Sequence, residues 1–253
     1  MIKIDKGEAP PTLAAAEIGL IAAFGENYDN NPQAYIDGQQ FTITRQYASD
    51  PVKRRLKLKQ YGKCCFSEAK FNGDYPDVEH FRPKGRVDIY GTDQQLYPGY
   101  YWLAYAWSNL YYCKSVINGT YKRNFFPLYD ETQRNRSHHD TYNEQPKLID
   151  PGAEDPRDHI RFHEDEIIHI TNRGDFNIKI LGLRDFAFSS ARNRLFKLLK
   201  LAKNAVEALI KDGHDPHSPQ VAPLIEQLRE SIQPDAEFSS MAIDLLQDWP
   251  HFQ

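Results

Sequence analysis

The sequence predicts an α+β protein that is mostly helical, and three segments support this. Residues 189–211 place leucine, alanine and valine at spacings of three and four, which is typical of an amphipathic helix. Residues 12–25 are also apolar and helical in pattern, after two prolines. Residues 64–128 instead combine aromatic residues, glycine and proline with short extended stretches, so we expect the β-structure there.

Three segments follow from these patterns. Residues 1–60 form a helical scaffold that includes a basic helix over residues 52–61, stopped by Gly62. Residues 61–130 carry the β-structure and the polar motifs. Residues 131–253 form a helical region packed on that core, ending in a helix over 238–249; residues 129–145, rich in charge and poor in aliphatics, are expected to be an exposed, mobile loop.

Composition narrows the class of protein. Hydrophobic residues make up 40% and charged residues 26% of the 253 positions, which is ordinary for a globular protein and argues against disorder. The longest apolar stretch near the start, 13–24, is interrupted by Glu17 and is too short for a membrane helix. We therefore expect a cytoplasmic protein without membrane association, with three reduced cysteines.

Charge is distributed unevenly. The net charge of −4 does not indicate a nucleic-acid-binding protein, but residues 53–63 contain six Lys or Arg and no acid. This run fits either a solvated helix face or a phosphate-binding surface. In the second case its nucleic-acid-binding residues are Lys53, Arg54 and Lys57.

The string DVEHFRPKGRV at 77–87 contains the main candidate for chemistry, the pair Glu79 and His80. On a strand these two side chains point to opposite faces. Phosphodiester hydrolysis needs a base with a pKa near neutrality, which imidazole supplies, and a hard cation held by oxygen ligands. His80 could equally be a hydrogen-bonded structural histidine.

Two later segments supply possible partners for this pair. In INGTYKRNFFPL at 117–128, Asn118 and Lys122 lie four apart, so a helix would place an amide and a phosphate-binding ammonium on one face. Asn118 could also be a turn residue before Gly119, and Lys122 an ordinary surface lysine. Asn109 lies before an aromatic strand, where its side chain could hydrogen-bond to the backbone and fix the loop that carries His80. Three basic residues follow His80, and we expect them to contact nucleic acid: Arg82, Lys84 and Arg86.

Together with IKIDKGEAPPTL, GYYWLAYAWSNL and LIDPGAEDPRDH, these strings resemble the HNH endonucleases of Septu antiphage systems and of some retrons over nearly the whole chain. The resemblance implies an embedded ββα-metal (HNH) core. It makes His80 the general base, Glu79 and Asn118 ligands of a catalytic Mg²⁺ or Mn²⁺, and Asn109 the structural middle residue. It also implies a partner ATPase of the ABC/AAA type and a nucleic acid substrate.

Relatives in that family typically bind a structural zinc through two CxxC pairs. The corresponding positions here are Cys64, Ser67, Lys114 and Ile117, of which one is a thiol. Because a tetrahedral zinc needs four N or S ligands, we expect the structural zinc to be absent. Cys65 and Cys113 lie one residue away, and adjacent cysteines rarely share one tetrahedron.

Three questions stay open at this level. A nuclease-like adaptor that docks on an ATPase without cleaving is the alternative function. The mechanism does not use a 2′-hydroxyl, so the substrate could be DNA, which we favour, or RNA. His159, His163 and His169 are spaced so that they could bind metal, although the DEIIHI sequence looks extended.

Overall fold

The computed structural model describes residues 1–39 and 43–251 and confirms the α+β class. Each small sheet is a two-stranded antiparallel pair, and the sheets are embedded among helices. The helices are α1 (Pro11–Asn30), α2 (Pro32–Ile36), α3 (Asp50–Lys59), α4 (Asn172–Ile180), α5 (Phe186–Lys211), α6 (Ala222–Ser231) and α7 (Ser239–Leu246). The strands are β1 (Asp77–His80), β2 (Val87–Asp88), β3 (Gln95–Leu96), β4 (Leu110–Cys113), β5 (Ile160–His163) and β6 (Glu166–His169).

The helices expected from the sequence are present, with shifted ends. α1 begins at Pro11, where a fixed φ and a missing N–H suit the first helical position, and extends to Asn30, beyond the predicted end at residue 25. α3 contains the basic run, and Gly62 follows it at φ +66°, a conformation that favours glycine. The predicted helices at 189–211 and 238–249 are α5 and α7.

β1 and β4 form the pair on which the polar motifs lie. Glu79 pairs with Tyr111 and His80 with Leu110. All four residues of β4 are buried, which is typical of a strand covered on both faces. A short π-helix, Ile117–Lys122, follows β4. The order along the chain is thus strand, strand, helix, with β2, β3 and two short helical turns between the strands.

The buried apolar residues form two clusters. The larger one draws on the whole chain, from Met1 through Phe126 to Trp249. The smaller one packs α1 and α3 against Tyr101, Tyr105 and Leu110. The aromatic run 100–107 contributes to both clusters, and it contains 3₁₀ turns and no α-helix. The division into three segments stays a prediction.

The 129–145 segment corrects one expectation. It contains little regular structure, as predicted, but it is packed against the protein. Arg134 is 5% exposed and donates to the Tyr100 hydroxyl and the Phe126 carbonyl. The buried Glu144 carboxylate accepts from Arg82 and Tyr100. Charged residues can be buried in a loop when each charge has a partner, and composition alone does not reveal those partners.

No helix within the described ranges has the length and apolar character needed to span a bilayer.

Candidate functional site

A cleft of about 890 Å³ opens in front of β1. Among the predicted site residues it is lined by Glu79, His80, Asn118, Lys84, Arg86 and Lys53. These six residues come from β1, the chain that follows it, the π-helix and α3, so the fold brings together positions up to 65 residues apart in sequence. Five of the predicted residues do not line the cleft: Asn109, Lys122, Arg82, Arg54 and Lys57.

His80 is held in one orientation. Its Nε2–H donates to the Ala104 carbonyl at 2.9 Å, so the neutral ring carries its lone pair on Nδ1. Lys84 Nζ lies 3.4 Å from Nδ1 and over the ring of Tyr47, which packs edge-on to the imidazole at 4.6 Å. Burial and the charge of Lys84 hold the pKa of His80 well below its usual value. The imidazole is therefore neutral at physiological pH, with Nδ1 as its proton acceptor.

Glu79 lies on the other face of β1, as strand alternation requires. Its carboxylate forms an ion pair with Lys122, and both side chains are buried. Burial raises the pKa of Glu79, while the charge of Lys122 acts in the opposite direction. Lys122 Nζ also donates to the His80 carbonyl at 3.1 Å. The sequence suggested a phosphate-binding ammonium at Lys122, whereas the structure places it, 0% exposed, under the strand.

Asn118 and Lys122 do share one face of the helix, which packs on the acidic face of β1. Asn118 Nδ2 donates to Asp77 Oδ2 at 3.0 Å. Asp77 and Glu79 are two residues apart on one strand and therefore on one side of it. The π-helix thus presents an amide and an ammonium to two carboxylates.

Asn109 joins two loops through its side chain. Its Oδ1 accepts from the Arg82 backbone N–H at 2.7 Å, and its Nδ2 donates to the carbonyls of Arg82 and Leu103 at 3.0 and 3.1 Å. These bonds fix the backbone two residues after His80 to the turn that supplies Ala104. Arg82 itself pairs with Glu144, so its guanidinium is already engaged.

The cleft carries more positive charge than the predicted set alone. Its lining also includes Arg45 and Arg123, which sequence reasoning missed, together with Tyr47 and Asp77. Asp77 could have been found from the period of two along β1, which places it beside Glu79. Arg45 and Tyr47 have no local signal, since they reach the cleft only through the packing of the segment before α3.

The oxygen-donor set suits a hard divalent cation. Two carboxylates on β1 and the amide of Asn118 are the ligand types that Mg²⁺ and Mn²⁺ take in proteins. Since Asn118 uses Nδ2 toward Asp77, its amide oxygen is directed away from that carboxylate. Lys122 is the competing partner of Glu79, so binding of a cation by Glu79 has to displace or share that ion pair.

Three buried thiols gather behind this site. Cys64, Cys65 and Cys113 have their sulfur atoms within 4.8 Å of one another, and Cys64 Sγ lies 4.0 Å from Cys113 Sγ. The sequence made this convergence improbable, because two of the three are adjacent. The other positions of the expected zinc set do not supplement them: the ammonium of Lys114 pairs with Asp74, and Ile117 is core.

The three later histidines lie apart. In the register of β5 and β6, His163 pairs with Glu166 and His169 with Ile160, at opposite ends of the hairpin. His159 bonds Thr171 at 2.9 Å. Across residues 1–39 and 43–251, these three do not form a metal-binding group. The extended interpretation of DEIIHI is confirmed as β6.

The fold and cleft define an α+β protein with a basic cleft over a glutamate–histidine strand end. No protein-family model matches the sequence. The chain is 30% identical over 207 residues to Septu protein PtuB from Bacillus mycoides (strain KBAB4), covering 80% of this chain and 70% of that protein. The chain belongs to the family of Septu protein PtuB.

Proposed function

We propose that this protein is a metal-dependent endonuclease of the HNH type, the nuclease subunit of an antiphage defence complex. One observation carries the proposal: the π-helix packs Asn118 onto the acidic face of β1, while His80 lies at the end of the same strand with Nδ1 at the cleft. The order strand, strand, helix along the chain supports the proposal of a ββα-metal core.

Each residue of the site has a separate role in this proposal. His80 Nδ1 takes a proton from water, because Nε2–H is committed to Ala104. Glu79 and Asn118, with Asp77 beside them, are the candidate ligands of Mg²⁺ or Mn²⁺; such an ion stabilises charge on the phosphate and the leaving oxygen when bound. Asn109 holds the His80 segment in place, and Lys122 positions Glu79.

The remaining cleft residues fit a polyanionic substrate. Lys53, Lys84 and Arg86 line the cleft with Arg45 and Arg123, so five cationic side chains surround two carboxylates. Contacts of this kind neutralise phosphates and make binding dependent on salt. Arg54 and Lys57 are exposed on α3 outside the cleft, where they could extend the same basic surface.

The substrate and partners are proposals from the same basis. We favour DNA over RNA as the substrate. Membership of a Septu family supports assembly with a second subunit, for which we propose an ATPase of the ABC/AAA type.

A non-catalytic adaptor is the alternative, and one observation favours it. The Glu79 carboxylate is already neutralised by Lys122, as in a site that no longer binds a cation. Against this, the adaptor has no need of a neutral imidazole whose Nδ1 faces only a mobile lysine side chain, Lys84, at a basic cleft.

Cleavage assays separate the two functions. The wild-type chain, with and without its partner subunit, is incubated with supercoiled plasmid and, in parallel, with total RNA in Mg²⁺ or Mn²⁺. We expect cleavage that H80A lowers by about 10²- to 10⁴-fold, the usual contribution of a general base. H163A, which removes an exposed histidine outside the cleft, should cleave like wild type. Cleavage by H80A within about tenfold of wild type would show that His80 is not the base. No cleavage by the complex under any of these conditions would favour the adaptor.

A further inference from the structure

A second group of metal-ligand types lies outside the cleft, where α1 ends. Asp29, His138 and His139 each place one ligand atom within 4.8 Å of the others. His139 Nε2 lies 2.6 Å from Asp29 Oδ1, and His138 Nε2 lies 3.7 Å from Asp29 Oδ2. Asp29 and His139 are exposed and His138 is half-buried, so an ion can reach the group from solvent.

The His138 imidazole is held by its surroundings. Its Nδ1 is hydrogen-bonded to the hydroxyl of the buried Tyr101 at 2.7 Å, and Tyr28 packs edge-on to the ring. A Cβ at Gly25 would lie 3.2 Å from His138 Nε2, so glycine leaves room for the ring against α1. A fixed partner on Nδ1 orients Nε2, which is the way proteins commonly orient metal-binding histidines.

The turn that carries both histidines is also fixed. The Asp140 carboxylate accepts the backbone N–H groups of Arg136 and Ser137 at 2.7 and 2.9 Å. The two imidazoles lie against each other with centroids 3.9 Å apart and direct both Nε2 atoms at one carboxylate. With its proton on Nε2 an imidazole can donate to this carboxylate, as that of His139 does at 2.6 Å, and a divalent cation would take the place of such protons between the same three groups.

We propose that Asp29, His138 and His139 bind a borderline divalent cation of the Zn²⁺ class, separate from the hard cation of the cleft. Two imidazoles and one carboxylate are a ligand set of that class, with a remaining position open to water. Ligand atoms around zinc lie roughly 3.3 Å apart, so the observed separations need only small side-chain movements.

Such an ion would link α1 to the 129–145 segment. That segment contacts the neighbourhood of the cleft, since Arg136 donates to the Tyr97 carbonyl at 2.7 Å and Glu144 binds Arg82. Tyr97 lines the cleft. The cation would therefore stabilise one wall of the cleft without contacting the reacting groups. Binding of this cation does not depend on whether the cleft hydrolyses nucleic acid.

The test uses tag-free full-length protein, freed of metal by dialysis against a chelator and titrated with ZnCl₂ by calorimetry. We expect one site that D29N and H139A each weaken by about 100-fold or more, because loss of an outer hydrogen bond to a metal ligand already costs about 10- to 100-fold. H163A is the matched control, since it removes an exposed histidine elsewhere, and should bind like wild type.

Cobalt distinguishes this site from the three thiols. Co²⁺ bound here should give weak visible absorption without sulfur charge transfer, and C65S should leave it unchanged. Equal Zn²⁺ affinity in wild type, D29N and H139A would overturn the proposal, as would a Co²⁺ spectrum with thiolate bands that C65S abolishes. In that case the group is an ordinary histidine–aspartate ion pair.

Discussion

At the scale of single residues, Lys122 shows how burial changes the role of a side chain. Its position four residues after Asn118 was correctly taken to place both on one helical face, and that face packs on β1. The ion pair with Glu79 and the hydrogen bond to the His80 carbonyl hold the ammonium under the strand, where it cannot reach solvent. Such packing involves β1 and the π-helix, 40 residues apart, so sequence spacing could not reveal it.

Replacing Lys122 by an apolar residue should lower the free energy of unfolding. In K122M the Glu79 carboxylate stays buried without its partner, and breaking a buried ion pair in this way costs about 3–5 kcal/mol. Urea denaturation would measure the change in the free energy of unfolding. K57M, on the exposed face of α3, should change it by less than about 0.5 kcal/mol.

The double variant E79Q/K122M provides the second check. It removes both charges, so we expect it to be more stable than K122M alone. A K122M variant as stable as wild type would contradict this expectation. It would show that the ion pair contributes nothing to the free energy of unfolding and that Glu79 does not need Lys122 as a partner.

The contribution of Lys6 to the free energy of unfolding should depend on pH. Burial lowers the pKa of Lys6 from 10.5 to about 7, although the charge of Asp150 opposes this. Between these two pH values the unfolded chain holds the proton and the folded chain does not. The unfolded state therefore binds more protons in this window, and the free energy of unfolding contributed by Lys6 rises with pH across it.

The comparison is between wild type and K6M at about pH 7 and about pH 9.5. The wild-type chain should gain stability relative to K6M at the higher pH. K6M should also be less stable at both, because Lys6 Nζ lies within hydrogen-bonding distance of the carbonyls of Trp107, Ser108 and Leu110, and even the neutral amine can donate to two of them. A difference between the two proteins that stays constant with pH would contradict the lowered pKa.

At the scale of elements, the helices were the most predictable feature. α1, α3, α5 and α7 follow from periodicity and from stop signals, which act locally. The aromatic run at 100–107 forms 3₁₀ turns, and it is tied to the segment around β1 through the Ala104 carbonyl and, just after the run, through Asn109. Local composition cannot specify such ties.

The Asn109 contacts predict a loss of order around His80. N109A removes three hydrogen bonds between two loops and leaves buried backbone groups unpaired, so we expect about 1–3 kcal/mol of destabilisation and slower cleavage. Thermal unfolding and the plasmid assay measure both effects. N143A, at an exposed position, is the control and should alter neither. Normal cleavage by N109A would remove Asn109 from the positioning machinery.

At the scale of the whole molecule, the sequence indicated which segments contain the predicted site residues. It did not reveal every residue that the fold brings into the cleft. The cleft combines β1, the π-helix, α3 and the segment before it, so Arg45 and Arg123 entered by tertiary packing alone. The thiol cluster has the same origin, since β4 brings Cys113 to Cys64. Asp77 is the exception, because strand alternation alone could have identified it, although it was missed.

The thiols lead to a prediction about bound metal. Burial raises the pKa of Cys65 and Cys113, whereas hydrogen bonds from Cys113, Cys65 and the Lys114 backbone outweigh burial and hold the pKa of Cys64 well below its usual value. One thiolate beside two thiols is short of the deprotonated ligands that zinc requires, and Lys114 and Ile117 cannot complete a tetrahedral set. We therefore predict less than one zinc per chain that survives dialysis against a chelator, measured by elemental analysis. A stoichiometric, dialysis-resistant zinc lost in C64S would show that the cluster is a structural zinc site after all.

We propose that Glu79 and Asn118 hold a divalent cation beside His80. The most direct measurement is the anomalous diffraction of Mn²⁺ in crystals soaked at a concentration that supports cleavage. We expect a peak in the cleft within bonding distance of the Glu79 carboxylate and the Asn118 amide oxygen, with the imidazole of His80 nearby. A cleft without Mn²⁺ under those conditions, with Lys122 still paired to Glu79, would contradict it.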